Sequence, residues 1–498
     1  MNSSRRTFLT MLAGGAVTIG ATGCGIDLRP GQTGELVRSR IPLPQPFGVP
    51  LPIPAVKKPV RSDANADYYE IVQREASVEI LPGVQTRIFG YDGTFPGPTI
   101  VSRSGRRSVV RHRNQLSVPV TVHLHGGHTP PEHDGYPTDL LPAGTGTHDY
   151  DYPMRQRAST LWYHDHRMDF TGPQVYRGLA GFHLVHDDED DALPLPKDNR
   201  DIPLMIVDRA FEDDGSFAYP TDLLPAGTGM HGVQQDFMEG VLGDVILVNG
   251  APWPSLEVDA VRYRFRIVNA SNARRYELAL DPGMPLIQIG SDGGLLAAPV
   301  THQTLVIAPG ERFDVVVDFS GVAPGTQVTM VNRLGDCDTT SHVMRFVVAR
   351  QAKDESTVPS RLSDVPKIDP AQAVRTREWR FERKFLDKHG MEGWAVNGQA
   401  FDPESTGATI NRGQLEIWRF STDLHHPIHV HLAPFQVVGR SGHKPGPYDA
   451  GWKDTVDIRP AEFVDVAVRF EAFSGRYLIH CHNLEHEDMA MMANFHVT

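Results

Sequence analysis

Cysteine is nearly missing from this chain: three occur in 498 residues, at positions 24, 337 and 481. A disulfide framework is therefore excluded as the source of stability, since a fold held by staples carries them in number. A surplus of positive charge is also missing. The formal net charge is −13, so no broad basic field exists to hold phosphate backbones, and nucleic acid is not an expected partner. The one basic run, SRSGRRSVVRHRN at 102–114, alternates as a strand does and reads as a solvated strand face. Beyond the N-terminus no apolar run is long enough to span a bilayer. Long helical periodicity is scarce. Methionine is not concentrated either: the 14 residues are scattered, and MAMM at 489–492 is the only dense patch. Cys337, in RLGDCDTT, reads as a loop thiol without a role.

What is present begins with an address. Ser4-Arg5-Arg6-Thr7-Phe8-Leu9, followed by the small-residue apolar stretch MLAGGAVTIGATG, reads as a twin-arginine export signal over residues 1–25. It ends in Ala21-Thr22-Gly23-Cys24, similar to a lipoprotein processing site except that alanine stands where leucine is usual. The expectation is a protein outside the cytoplasm, free or lipid-tethered at Cys24. Residues 26–60 are proline-rich and read as an extended lead-in. After them, short alternating runs such as SVPVTVHLHG, YRFRIVNA, RFDVVVDFS and EFVDVAVRF are separated by Gly, Pro, Asn and Asp turns. That pattern predicts an all-β chain of β-sandwiches. Three are expected, over 61–190, 200–350 and 375–498, with boundaries in the charged, proline-containing stretches DDEDDALPLPKDNRD and QAKDESTVPSRLSDVPKIDPAQ. The segment YPTDLLPAGTG occurs twice, at 136–146 and 219–229, and neither its composition nor its spacing explains the identity of the two copies.

The chemistry lies in the histidines. They cluster as His123-Leu124-His125, His164-Asp165-His166, His426-Pro427-Ile428-His429-Val430-His431, and His480-Cys481-His482 with His486 beyond. One H-x-H is weak evidence, because a strand histidine is more often a satisfied polar side chain. Four change the reading. Residues i and i+2 of a strand share a face, so each pair aims two imidazoles the same way, and eight nitrogens suffice for a cluster of three metals. The same alternation turns Cys481 to the opposite face from His480 and His482. There a thiolate with His426, His486 and the soft thioether of Met491 makes a blue-copper electron-transfer site. Zinc competes for cysteine and histidine, but it does not call for paired histidines beside a mononuclear thiolate site.

With these motifs in this order, the chain resembles the multicopper oxidases from about residue 60 onward. TFPGPTI at 95–101, LWYHDH at 161–166, ILVNGAPWP, YRFRIVNASN and IQIGSDGGLL are similar to the branch containing spore-coat laccase, bilirubin oxidase and phenoxazinone synthase. The resemblance implies three cupredoxin-like Greek-key domains, the middle one without copper ligands, and four copper ions. It implies that His426, Cys481, His486 and Met491 hold the type 1 ion, and His123 and His429 the type 2 ion. The type 3 pair would be held by His125, His164, His166, His431, His480 and His482. It also implies that Asp134 and Glu487 relay protons. His425, Met489 and Met492 do not fit the ligand spacing, and Asp165 is expected on the other face of its strand.

The implied activity is one-electron oxidation of phenolic, aminophenolic or bilirubin-like molecules coupled to reduction of dioxygen to water. A metallo-oxidase for Cu(I), Fe(II) or Mn(II) is the alternative, and a copper-binding protein without turnover is a second one. The absence of a methionine-rich insert favours the organic substrate. The complete ligand set favours turnover.

Overall fold

A computed structural model describes residues 32–221, 232–335, 338–385 and 392–498. The export signal, Cys24, Cys337 and most of the second YPTDLLPAGTG copy lie outside the described residues. Among them the longest helix, Thr171–Tyr176, has six residues, and no helix is long and apolar enough to cross a membrane.

Alternation explains why these segments become strands. In Arg107–Asn114, Val110, His112 and Asn114 turn inward while Arg107, Arg111 and Arg113 turn outward. The outward arginines meet acids on neighbouring strands: Arg111 Nε lies 2.6 Å from Asp149 and Arg113 2.8 Å from Glu70. The basic run is thus a neutralised sheet surface.

Six large sheets form three successive sandwiches that repeat one topology. In the first, the strands Ala66–Glu79 and Arg107–Asn114 pair in parallel in one sheet, and Gly97–Arg103 and Ala180–His186 pair in parallel in the other. In the second, the parallel pairs are Asp201–Arg209 with Arg262–Asn269, and Ser255–Asp259 with His342–Arg350. In the third they are Arg375–Phe385 with Leu415–Thr422, and Ala408–Ile410 with Met492–Val497. The remaining pairs between neighbouring strands of these sheets are antiparallel apart from the crossovers named, and parallel neighbours require chain crossovers, which gives each unit its Greek-key character. The fold is the expected all-β one, with three cupredoxin-like units.

Residues 32–60 form a strap. Glu35–Leu36 pairs in parallel with Val241–Leu242 in a separate two-stranded sheet, and Lys57 N donates to the Thr99 carbonyl of the first sandwich. Separate apolar cores fill the first and third units, around Tyr91 and Val122 and around Trp418 and Ile428.

Candidate metal centre

Two strands of the first sandwich present the first histidines. Val122–His125 pairs antiparallel with Ser159–Asp165, placing His123 opposite His164. In the third sandwich His426–Val430 pairs antiparallel with Gly475–Cys481, placing His429 opposite His480. Strand alternation then sorts the third motif, because His426 is three residues from His429 and faces the opposite side of the sheet. His429 and His431 turn toward the first sandwich, His426 toward the interior of the third.

The two histidine-bearing faces meet. His123 Nε2 lies 3.4 Å from His429 Nε2, and His480 Nε2 lies 3.3 Å from His166 Nε2 and 3.1 Å from His431 Nε2. The rings of His125 and His429 stack at 3.7 Å, those of His123 and His431 at 3.9 Å. His125, His164 and His482 form one trio whose donor atoms all lie within 4.8 Å of one another; His166, His431 and His480 form a second. All eight rings are buried. Burial holds His164 down to about 3 and His166 to about 4, so these two rings are neutral and have lone pairs to give.

Six of the eight rings are oriented from behind. His123 Nδ1 donates to the Asp134 carbonyl at 2.6 Å, His429 Nδ1 to that of Asp454 at 2.9 Å, and His164 Nδ1 to that of Asp165 at 2.8 Å. His480 Nδ1 donates to the Cys481 carbonyl at 3.0 Å, and His431 Nδ1 to Asp134 Oδ2 at 2.7 Å. A proton on Nδ1 leaves the lone pair on Nε2, aimed inward. His125 is reversed: its Nε2 faces Asp454 Oδ1 and Thr455 Oγ1, both at 3.1 Å. Its Nδ1, together with His164 Nε2 and both nitrogens of His482, is buried without a hydrogen-bond partner. Buried polar atoms are almost always paired. Three rings of one trio leaving their inward atoms unpaired is the arrangement that a bound cation satisfies.

On the other face of the same strand, Cys481 Sγ lies 3.4 Å from His426 Nδ1 and 3.6 Å from His486 Nδ1, and those two nitrogens are 2.9 Å apart. His426 Nε2 donates to Asp423 Oδ1 at 3.2 Å and His486 Nε2 to the Glu239 carbonyl at 3.1 Å. Both Nδ1 atoms therefore carry lone pairs that face each other and the sulfur, with only the weak S–H of Cys481 as a donor among them. Burial pushes the Cys481 thiol up, so a thiolate there needs a cation beside it. The residues of both centres fit metal ions.

A tight loop brings His486 back to Cys481. Asn483 caps the short helix Leu484–Asp488, accepting from the backbone of Glu485 and His486, and Ala490 turns the chain with φ 80° in the left-handed region. Met491 N then donates to the His486 carbonyl at 2.9 Å, and Cys481 N to the Met491 carbonyl at 3.1 Å. The Met491 side chain is fully buried in the same core as Cys481; Met489 shares that core. Met492 pairs with His480 and packs with Tyr136 and Leu478 on the opposite side.

The two acids join motifs. Asp134 reaches His431 with its carboxylate and His123 with its carbonyl, and burial pushes the carboxyl up to about 7, with Thr129 pulling it down. Glu487 Oε1 lies 3.5 Å from His166 Nδ1 and Oε2 3.2 Å from His480 Nδ1, and Thr171 Oγ1 donates to Oε1 at 2.7 Å. Asp165 accepts from Thr121 N and Gln174 Nε2, away from the ring nitrogens.

Several residues at these sites carry no metal-like spacing: Asp423, Asp454, Thr455, Trp394, whose ring lies 3.9 Å from that of His486, and the carbonyl of Glu239. The tyrosines that open the two duplicated segments also hydrogen-bond near these sites. Tyr136 OH donates to Asn494 Oδ1 at 2.8 Å, and Tyr219 OH to Glu485 Oε1 at 2.8 Å, inside the loop between Cys481 and His486. A cavity of about 750 Å³, lined in part by Gly126, His128, Lys367, Trp452 and Asp454, approaches the histidine cluster from the side of Asp454.

Three family descriptions, each named multicopper oxidase, match residues 73–190, 227–348 and 367–498. The chain belongs to the multicopper oxidases. It is 38% identical to a laccase of Bacillus stratosphericus, covering 89% of this chain and 97% of that one, and 37% identical to a bilirubin oxidase of Albifimbria verrucaria, covering 91% and 81%. A crystal structure of a multi-copper oxidase from Pediococcus acidilactici superposes with a TM-score of 0.82 at 30% identity, covering 93% of each chain. This multicopper oxidase is laccase-like, a copper oxidoreductase with oxygen as acceptor.

Proposed function

We propose that this multicopper oxidase holds four copper ions and couples oxidation of a small organic reductant to the four-electron reduction of dioxygen. His426, Cys481, His486 and Met491 would hold one ion, His123 and His429 a second, and the trios His125, His164, His482 and His166, His431, His480 the remaining two. Copper so held supplies one-electron redox chemistry at the thiolate site and multi-electron chemistry at the cluster.

The observation that carries this reading is the position of Cys481. Its sulfur belongs to one donor set, while the residues on either side of it, His480 and His482, belong to the two trios. Two peptide bonds therefore connect the centres. Electrons enter where the thiolate site approaches solvent: Asp423, the acceptor for His426, has a side chain 37% exposed. Asp134 and Glu487, each hydrogen-bonded or close to rings from two motifs, deliver protons to the cluster. The cavity beside Asp454 is the route for dioxygen. Phenols, aminophenols and bilirubin-like pigments are the substrate class, in keeping with the names of the laccase and bilirubin oxidase relatives. Export by the twin-arginine motif and a tether at Cys24 belong to the same proposal and rest on the sequence.

Oxygen uptake by copper-loaded protein on a dimethoxyphenol, an o-aminophenol, bilirubin and Cu(I) tests it. Turnover of the organic compounds is expected. Uptake with Cu(I) alone would replace this reading with the metallo-oxidase one.

A further inference from the structure

The middle sandwich contributes no ligand to either donor set, yet one of its turns forms a wall of the histidine cluster. Gly310, at φ 84°, lies so close that a Cβ there would sit 2.9 Å from the His482 ring and 3.2 Å from His125 Cε1. Two residues on, Arg312 is fully buried. Its guanidinium makes a two-pronged bond to Asp454, Nη1 to Oδ1 at 2.6 Å and Nη2 to Oδ2 at 2.5 Å. Three further donations fix the fork, from Nε to the Thr160 carbonyl of the first sandwich at 2.9 Å, from Nη1 to the Gly310 carbonyl at 3.1 Å and from Nη2 to the Asp292 carbonyl at 3.2 Å. Asp292 ties the same corner together, accepting from Arg312 N at 2.7 Å and from Asp454 N and Thr455 N at 3.2 Å each.

Asp454 in turn is the carboxylate that faces His125 Nε2. His125 is the ring with the reversed tautomer, so the acceptor behind it decides which nitrogen looks inward. A carboxylate buried at this depth without a cation would be costly and would lose its charge or its place. A planar bidentate fork supplies both charge and direction, which an ammonium does not.

We propose that Arg312 is a positioning residue for the cluster: from the copper-free middle sandwich it locks Asp454 as the acceptor for His125 Nε2, and thereby keeps His125 Nδ1 facing the metals. The inference rests on the four-copper reading above and goes beyond it in assigning the middle sandwich a part in the site.

Copper per chain, the type 2 EPR signal and the thiolate-to-copper band are measured for wild type, Arg312→Met, Arg312→Lys and Arg312→Met/Asp454→Asn. In Arg312→Met the visible band should stay near wild type while cluster copper falls at least twofold or the EPR signal changes shape. Arg312→Lys should fall between the two. The double variant should recover, because asparagine still offers His125 an acceptor and no buried charge is left unpaired. An Arg312→Met protein with full copper and an unchanged EPR signal would overturn the proposal. So would a double variant no better than the single one, or a visible band and unfolding temperature that fall together with the cluster, which would mark a general structural role. Wild-type protein without a type 2 signal would overturn the four-copper reading itself, and this inference with it.

Discussion

Asp134 Oδ2 lies 2.7 Å from Nδ1 of His431, across 297 residues of chain. The bond joins the first sandwich to the third at the wall of the histidine cluster, where the carbonyl of the same aspartate orients His123. Glu487 makes the matching bridge in the opposite direction, between His480 of its own sandwich and His166 of the first. Each acid touches rings that would bind metal, and neither touches Cys481 in the contacts described.

That arrangement separates oxygen chemistry from substrate oxidation. Asp134→Asn and Glu487→Gln retain size and hydrogen-bonding capacity but remove the titratable proton. Anaerobic bleaching of the thiolate band by substrate should proceed near the wild-type rate, while aerobic turnover drops by about 10²-fold or more, the range for loss of a general acid. Both variants must carry full copper before comparison, since the same bonds orient the ligands. Normal aerobic turnover in a fully loaded double variant would exclude the relay.

Copper-loaded protein should be blue, because among the described residues Cys481 is the only free thiol and a thiolate is the source of an intense copper charge-transfer band. Cys481→Ser should lose the colour and the oxidation of organic substrates together. A Cys481→Ser protein that stayed blue would place the metal elsewhere.

The axial position divides Met491 from Met489, both buried in the core that holds Cys481. A weak thioether donor favours Cu(II), so Met491→Leu should raise the potential of the thiolate site with copper content unchanged. Redox titration of both variants decides: a shift in Met489→Leu alone would mean the loop register has been assigned to the wrong methionine.

Two buried histidines outside the cluster set a pH dependence of stability. His112 hydrogen-bonds to Gln73 at 2.8 Å and His183 to Ser102 at 2.7 Å, and burial holds both down to about 3. Below the ordinary histidine value the unfolded chain takes up a proton that the folded one refuses. Stability is therefore complete above pH ~6.5 and is lost as pH falls toward 3, by about 1.4 kcal/mol per pH unit for each ring. Urea titrations of His112→Gln and His183→Gln should show acid limbs shallower by one proton each. Limbs parallel to wild type would remove these rings from the account.

Local pattern settled much of this protein. Alternation made the strands, and because i and i+2 share a face it also paired the imidazoles and sent Cys481 away from its neighbours. Those are properties of a backbone with period two, legible before any tertiary contact forms. The meeting of the histidine pairs is another matter: His123 and His429 are 306 residues apart, and only the packing of the first sandwich on the third brings their Nε2 atoms to 3.4 Å. The tautomers were equally illegible, being set by carbonyls and carboxylates such as those of Asp134, Asp454 and Glu239 that carry no spacing of their own. Arg312 and Gly310 belong wholly to tertiary structure, since nothing in a run that reads APGERF marks a turn of a ligand-free sandwich as a wall of the cluster. Faces and motifs follow from short-range geometry; which faces meet, and what stands behind each ring, follows from three cores packing at once.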